Sequence, residues 1–290
     1  MQQIELMKKL KVIISGGGTG GHIFPALAIA KAIENKVKDV EFLFVGAEDR
    51  MEMEKIPAAG YKIVGLWISG LQRNFSRRNL LFPFKVVSSL LKARKIVKQF
   101  KPDLAIGTGG YASGPLLFAA ANKGVPSLIQ EQNSYPGITN KILSKYVQKV
   151  CVAYDDMERF FGKEKLIITG NPIREDILGF DTKVKQGREL FSVDASRPTV
   201  LVVGGSLGAR TINNAIAENI EAFKLAEVNL IWQTGISFQD KSQEIIKGVN
   251  VPGIQAHTFI KKMDLAYAAA DVIVSRAGAI AISELCCVGK

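Results

Sequence analysis

The stretch VIISGGGTGGHIFPALAIA, residues 12–30, joins a short apolar strand to a glycine-rich turn and then to a helix. Proline is favoured in the first turn of a helix, so we expect this helix to begin at Pro25. Glycines between a strand and a helix let backbone N–H groups point at an anion, which the helix N-terminus also attracts. The stretch therefore predicts a turn that binds a phosphate or a similar anion.

A second stretch, PTVLVVGGSLGART at residues 198–211, repeats the order of strand, glycine turn and helix. The two turns lie in different halves of the chain. Two anion-binding turns in one chain predict a protein that holds two substrates in a cleft.

The length of the chain and its pattern of apolar segments limit the architectures that it can adopt. The chain has 290 residues, 47% of them apolar and 22% charged, which suits two folded domains of roughly 100 to 200 residues each. Apolar strands that alternate with helices predict a parallel sheet covered on both faces in each half. Asn171-Pro172 interrupts the pattern, so we expect domains at residues 1–170 and 171–290. The pattern stops abruptly at Lys290, and we expect a second domain that is shortened at its C-terminus.

Composition excludes several classes of protein. Three cysteines and two histidines without a metal-ligand spacing predict no metal site, and His257, in an apparent strand, is expected to be structural or exposed at a sheet edge. The sequence has no run of about 18 apolar residues, and its first residues lack the pattern of a signal peptide. We therefore expect a cytoplasmic protein without a membrane-spanning helix.

The first glycine turn also fits the G-x-G-x-x-G pattern of dinucleotide-binding domains. Such domains use an acid at the end of the second strand to bind a ribose. Here that strand ends at Ala47, and the nearest acids are Glu48 and Asp49, which disfavours this alternative. A P-loop is excluded because no Gly-Lys-Ser or Gly-Lys-Thr follows either turn.

Six motifs in order along the chain resemble those of the MurG family: GGGTGGHIFPALAIA, GTGGYASGP, EQNSYPGITNK, GNPIRED, GGSLGAR and FIKKMDLAYAAADVIVSRAGAIAISEL. Members transfer N-acetylglucosamine (GlcNAc) from UDP-GlcNAc to the muramoyl (MurNAc) pentapeptide carried on undecaprenyl diphosphate, a step of peptidoglycan synthesis. The resemblance implies an α/β GT-B fold, with two tandem Rossmann-like domains and a cleft between them. It also implies an inverting displacement that uses no cofactor and no metal.

The resemblance assigns residues of the acceptor-side domain. It implies that Thr19, Gly20 and Gly21 face the donor sugar and the acceptor diphosphate, and that Asn133 binds the GlcNAc. His22 ends the turn, where an imidazole can take the proton from the acceptor 4-hydroxyl. We predict His22 as the catalytic base. The alternative is a histidine that caps or packs against the start of the helix.

The resemblance also assigns the donor site. It implies that Arg174 and Ser206 bind the UDP diphosphate and that Ile260 contacts uracil. Glu284 is expected to accept hydrogen bonds from the ribose hydroxyls. On the residues alone, Arg174 has an alternative as the ion-pair partner of an acid that follows it, and Glu284 as a surface acid of a helix. The other residues expected to line the nucleotide are Ala279, Ile280, Ala281, Ile282 and Ser283.

Two features depart from the family pattern. Ala281 stands where members usually carry threonine, which removes one hydroxyl contact to the donor. The glutamine-bearing segment that reads the sugar hydroxyls in the family lies beyond Lys290. We therefore expect weaker donor binding in the second domain.

Residues 61–101 contain ten lysines and arginines and no acid, in a chain whose net charge is +11. Apolar residues interleave with these cations, which predicts a patch that binds an anionic membrane, each cation contributing about 1 kcal/mol. Alternatives are a solvated helix face, or a nucleic-acid site, for which no motif is present. The predicted patch, called the membrane patch below, consists of Phe75, Arg77, Arg78, Leu81, Phe82, Phe84 and Lys85.

Together these features predict a peripheral enzyme on the cytoplasmic face of the bacterial plasma membrane. Its expected partners are UDP-GlcNAc, the lipid-linked muramoyl peptide, the anionic membrane and other cell-wall synthesis proteins, but no nucleic acid. One alternative is a UDP-sugar transferase for a different lipid, such as diacylglycerol. Another is a chain without catalysis that binds UDP-sugar or acts as a scaffold for cell-wall proteins.

Overall fold

The computed structural model describes residues 9–70, 80–205 and 207–290. The chain forms two compact units, Met1–Pro172 and Ile173–Lys290, which divide two residues beyond the predicted boundary. Four predicted site residues, three of the membrane patch and one of the UDP site, lie outside the described residues: Phe75, Arg77, Arg78 and Ser206.

The described residues of the first unit contain seven strands: β1 (Leu10–Gly16), β2 (Val40–Ala47), β3 (Ile63–Leu66), β4 (Leu104–Gly109), β5 (Ser127–Glu131), β6 (Lys149–Val152) and β7 (Leu166–Ile168). They form one sheet in the order β3-β2-β1-β4-β5-β6-β7, with every neighbouring pair parallel. The sequence pattern does not indicate strand β7. Three residues at a sheet edge are too few to show a strand periodicity.

In the part of the unit that the structure describes, five α-helices accompany this sheet: α1 (Gly20–Lys36), α2 (Glu52–Ala58), α3 (Phe82–Phe100), α4 (Ser113–Ala121) and α5 (Ile138–Leu143). Successive side chains of a strand point to opposite faces, so β1 contributes to two apolar cores. Ile13 packs in one core with Leu116, whereas Val12 and Ile14 pack in the other with Ile23. The sheet is therefore buried on both faces, as the continuous apolar strands predict.

The order of the strands reverses at β1, because β2 and β3 lie on one side of it and β4 to β7 on the other. At such a point the connections that leave neighbouring strands diverge and open a crevice at their carboxyl ends. The two connections here are the first glycine turn, which follows Gly16, and the loop that follows Gly109. The fold thus brings two glycine-rich segments, about 90 residues apart in the sequence, to one place.

Helix α1 begins at Gly20, so the prediction of a helix that begins at Pro25 was wrong. The turn ends at Thr19, whose backbone is extended (φ −147°, ψ 161°), and the helix begins at the next residue. Proline lacks an N–H, and Pro25 therefore cannot donate to the carbonyl of Gly21 four residues earlier. The consequence for the site is that His22 lies in the first turn of the helix, not before it.

Apart from residue 206, which is not described, the second unit contains four strands: β8 (Thr199–Val203), β9 (Asn229–Gln233), β10 (Ile254–His257) and β11 (Val272–Ser275). They are parallel in the order β10-β9-β8-β11. Its helices are α6 (Val184–Leu190), α7 (Arg210–Glu218), α8 (Ile220–Leu225), α9 (Gln239–Val249), α10 (Met263–Ala269) and α11 (Ala279–Val288). As in the first unit, the strand that precedes the glycine turn lies inside the sheet, with a neighbour on each side.

Candidate functional site

The first glycine turn is packed tightly against the loop that follows β4. The Gly17 N–H donates to the Gly109 carbonyl at 3.3 Å. Gly110 has φ +91°, and a Cβ there would collide with the Gly17 carbonyl, so only glycine fits this approach. Thr19 and Gly21 are exposed on the outer side of the turn. The glycines therefore shape the turn, and the residues predicted to face substrates lie on its accessible side.

His22 is held in one tautomer by the strand next to it. Its Nδ1 lies 2.8 Å from the Thr108 carbonyl oxygen and 3.2 Å from Oε1 of Gln132. A carbonyl oxygen only accepts, so Nδ1 carries the hydrogen and donates it. The lone pair of the neutral ring is then on Nε2. This half-buried imidazole consequently offers an acceptor nitrogen suited to receive a proton.

Two neighbours fix the position of the His22 ring and backbone. The Thr108 hydroxyl donates to the His22 carbonyl oxygen at 2.7 Å. Gly109 leaves room for the ring, because a Cβ at Gly109 would lie 2.6 Å from His22 Nδ1. Gln132 is buried and donates its amide to the Thr108 carbonyl at 2.7 Å. The sequence predicts no role for Thr108 or Gln132, although they lie in the GTGGYASGP and EQNSYPGITNK motifs that carry the resemblance.

Asn133 is exposed and is held in place by hydrogen bonds to the buried acid Glu131. Its backbone N–H and its side-chain amide donate to Oε1 of Glu131, at 3.1 and 3.0 Å. The other oxygen of Glu131 accepts from the Gly137 N–H and from the Asn140 amide, at 3.2 and 2.9 Å. Glu131 therefore orders the whole EQN loop and orients the exposed amide of Asn133. Glu131 was not singled out from the sequence.

The second glycine turn has the same close packing as the first. Gly208 has φ +84°, and a Cβ on it would collide with the Thr234 carbonyl. The side chain of Asn213, in α7, donates to the same carbonyl at 2.7 Å and accepts from the buried Trp232 indole at 3.0 Å. These contacts fix the start of α7 next to the turn, where a helix N-terminus favours an anion.

Ile260 is connected to the second turn through one glutamine. Gln233 donates its side-chain amide to the Gly205 carbonyl at 3.2 Å and accepts the Ile260 N–H at 2.8 Å. The Ile260 side chain is buried in an apolar core. The N–H and the side chain of Ile260 are therefore both engaged within the second unit, and its contact with uracil stays a prediction.

Arg174, Glu284 and Tyr267 form a polar cluster within the second unit. The Tyr267 hydroxyl donates to Oε2 of Glu284 at 2.9 Å, and the Arg174 Nε lies 3.7 Å from Oε1. Arg174 Nε also lies 3.5 Å from Asp176, so its predicted alternative as an ion-pair partner of a following acid is present. Burial raises the pKa of Glu284, although Arg174 and Tyr267 act in the opposite direction. Glu284 is thus a buried carboxylate and not a surface acid.

The remaining residues predicted to line the nucleotide lie in the first turns of α11. Gly278, with extended backbone, precedes the helix, and the Ile280 side chain is buried. The Ser283 hydroxyl donates to the Ala279 carbonyl at 2.9 Å, within the helix. Ala281 is half-buried and Ile282 is exposed. In the described ranges of the chain, no group of three or more His, Cys, Asp or Glu residues is arranged to hold a metal ion.

Two parallel-sheet units, each with a glycine turn after an inner strand, define an α/β protein of the GT-B glycosyltransferase class. Residues 12–152 match the N-terminal domain of glycosyltransferase family 28, and residues 199–290 match its C-terminal domain. The chain belongs to this family, and within it to the MurG family.

Two relatives of the chain carry the same enzyme name. The chain is 56% identical to a protein of Christiangramia forsetii over 97% of its own length and 76% of the relative's. It is also 56% identical to a protein of Cytophaga hutchinsonii, over 98% and 76%. Both are named UDP-N-acetylglucosamine--N-acetylmuramyl-(pentapeptide) pyrophosphoryl-undecaprenol N-acetylglucosamine transferase. Among solved structures, MurG of Acinetobacter baumannii matches with a TM-score of 0.67 and 28% identity, over 97% of this chain and 76% of that one.

Proposed function

We propose that the chain transfers GlcNAc from UDP-GlcNAc to the 4-hydroxyl of the undecaprenyl-diphosphate-linked MurNAc-pentapeptide. This reaction converts lipid I into lipid II in peptidoglycan synthesis. The observation that carries the proposal is the 56% identity, over 97% of the chain, to a transferase named for that reaction. The orientation of His22 supports it, because the reaction needs a base at the acceptor hydroxyl.

In the proposed mechanism, Nε2 of His22 removes the proton from the acceptor hydroxyl as its oxygen attacks C1 of GlcNAc. The bond between C1 and the diphosphate oxygen breaks, so the configuration at C1 inverts and UDP leaves with the electron pair. Nδ1 of His22 keeps its hydrogen bond to the Thr108 carbonyl throughout, and this bond stabilises the imidazolium that forms. Asn133, held by Glu131, is assigned to the GlcNAc, and Thr19 to Gly21 to the donor sugar and the acceptor diphosphate.

For the donor, Arg174 and the N-terminus of α7 are assigned to the charge that develops on the leaving UDP. Preorganised cations and N–H groups lower such a barrier most when they are fixed before the reaction begins. Arg174 is already held beside Glu284 and Asp176. Glu284 is assigned to the ribose hydroxyls, with Tyr267 holding its carboxylate.

The chain is further proposed to bind the cytoplasmic face of the plasma membrane through α3. Leu81 and Phe84 at the start of α3 are exposed, Phe84 by 68%, and Val87 one turn later extends the same apolar surface. Lys85 is tied to the fold, because its ammonium donates to Ser69 Oγ at 2.9 Å. Within the described ranges, no helix has the length and apolar character needed to cross a membrane.

The double variant Leu81→Ser/Phe84→Ser is expected to bind vesicles that contain phosphatidylglycerol about 100-fold more weakly. Each side chain would lose apolar burial of roughly 1.5 kcal/mol or more. Co-sedimentation measures the effect, and Leu225→Ser, which removes an 82% exposed leucine from the second unit, is the matched control. Equal sedimentation of the double variant and the wild type would contradict the membrane patch.

The proposed reaction is tested by transfer of radiolabelled GlcNAc from UDP-GlcNAc to a short-chain analogue of the lipid-linked muramoyl pentapeptide. Formation of the disaccharide product is expected. Transfer to diacylglycerol without transfer to the muramoyl lipid would overturn the acceptor assignment. Calorimetric binding of UDP without any turnover would favour the alternative of a UDP-sugar-binding chain without catalysis.

A further inference from the structure

A buried carboxylate lies beneath the first glycine turn. Glu52 is the first residue of α2, and only 1% of its surface is exposed. Its Oε2 accepts the Gly18 N–H at 2.8 Å, and its Oε1 accepts the Ala47 N–H at 3.0 Å. Backbone N–H groups therefore stabilise this charge.

Two glycines make room for this carboxylate. A Cβ on Gly17 would collide with the Glu52 carboxyl group, and a Cβ on Gly46 would lie 2.5 Å from its Cγ. Gly17 lies in the turn after β1, and Gly46 lies near the end of β2. The glycines thus make room beneath the turn for an acid of the protein itself.

The bonding of Glu52 requires a carboxylate. Both of its oxygens accept N–H groups, whereas an amide has one oxygen and one nitrogen that only donates. Glutamine at this position would therefore place an NH₂ against either the Gly18 or the Ala47 N–H. Hydrogen bonds to an ionised acceptor are also stronger than those to a neutral one.

We propose that Glu52 is a positioning residue for the acceptor site, an inference that rests on the proposed function. By holding Gly18, it fixes the path of the turn into Thr19 and His22. It also occupies the Gly18 N–H, so that the acceptor diphosphate is directed to the N–H groups beyond Thr19. Glu52 acts through the turn and does not contact the substrate.

The test compares Glu52→Gln with Glu48→Gln, a matched control whose half-buried carboxylate also follows β2 and pairs with Lys92 at 2.9 Å. Glu52→Gln is expected to lower kcat about 10- to 100-fold and to raise KM for the acceptor, with KM for UDP-GlcNAc unchanged. Glu48→Gln is expected to behave as the wild type. A Glu52→Gln variant that loses thermal stability but keeps both kinetic constants per active site would overturn the proposal.

A second measurement uses the wild-type chain and remains decisive if Glu52→Gln does not fold. Spectra of ¹⁵N-glycine-labelled protein follow the Gly18 and Gly21 amides during addition of the acceptor analogue. The Gly21 signal is expected to move, whereas Gly18 keeps its position and its slow hydrogen exchange. A Gly18 signal that moves and exchanges fast on binding would overturn the proposal. A wild-type chain that binds the analogue without transfer would contradict the proposed function alone.

Discussion

Replacing His22 with alanine is expected to lower kcat for GlcNAc transfer by about 10²- to 10⁴-fold, the usual contribution of a general base. In the wild type, Nδ1 donates to the Thr108 carbonyl, so the lone pair on Nε2 is free to take the proton of the acceptor hydroxyl. The variant loses this lone pair. UDP is assigned to the second unit, so its dissociation constant is expected to stay within about twofold of the wild type. Single-turnover transfer and calorimetric titration with UDP measure the two quantities.

Two controls separate proton transfer from packing at this position. His22→Gln keeps much of the volume but supplies no base, and it is expected to be as slow as His22→Ala. His257→Ala removes the only other histidine of the chain, which packs edge-on against Phe191 at 5.5 Å, and it is expected to retain wild-type kcat. A kcat within tenfold of the wild type for both His22 variants would remove His22 as the base.

A neutral amide, Gln132, and not an acid contacts the His22 ring. The neutral Oε1 of Gln132, 3.2 Å from Nδ1, orients the ring without adding a charge. The acid of the same motif, Glu131, is instead turned toward Asn133 and Asn140. The order of the two residues in the EQN motif therefore determines which one faces the histidine.

Much of the architecture could be predicted from the sequence because it depends on local patterns. Apolar strands between helices indicate parallel sheets, and Asn171-Pro172 marks the change of unit because a proline interrupts any regular element. The start of α1 was predicted incorrectly because proline preference was weighed above the backbone of the turn. The turn ends where Thr19 becomes extended, and the sequence alone does not specify that backbone angle.

The side chains that organise the site could not be predicted, because their roles depend on strand neighbours. Glu52 resembles a surface acid at the start of a helix, and only the absence of Cβ atoms at Gly17 and Gly46 lets it turn inward. His22 follows β1 and Gln132 follows β5, and the strand order places Thr108, at the end of β4, between them. The contact of Gln132 with His22 therefore depends on that strand order. The motifs predicted which segments meet at the site, but not which atoms within them form the contacts.

Replacing Glu284 with glutamine is expected to weaken UDP binding about 10- to 100-fold, because hydrogen bonds to a charged group contribute roughly 1.5 to 3 kcal/mol. Tyr267→Phe, which removes the hydroxyl that holds Oε2, is expected to have a smaller effect in the same direction. Glu221→Gln, an exposed acid of the same unit, is the matched control. Calorimetric titration with UDP measures all three, and equal affinities for wild type and Glu284→Gln would contradict the ribose assignment.

Glu284→Gln is also expected to leave thermal stability at neutral pH unchanged or higher, which distinguishes a binding residue from a structural one. Burial raises the pKa of Glu284, so the folded state favours its protonated form. The stability contributed by this group is therefore present at low pH and is lost as the pH rises through the raised pKa. UDP affinity has the opposite dependence, since it declines as the pH falls and the carboxylate is protonated. Thermal unfolding and UDP titration between pH 4 and pH 8 measure both trends, and a parallel loss of stability and affinity in Glu284→Gln at neutral pH would assign Glu284 a structural role.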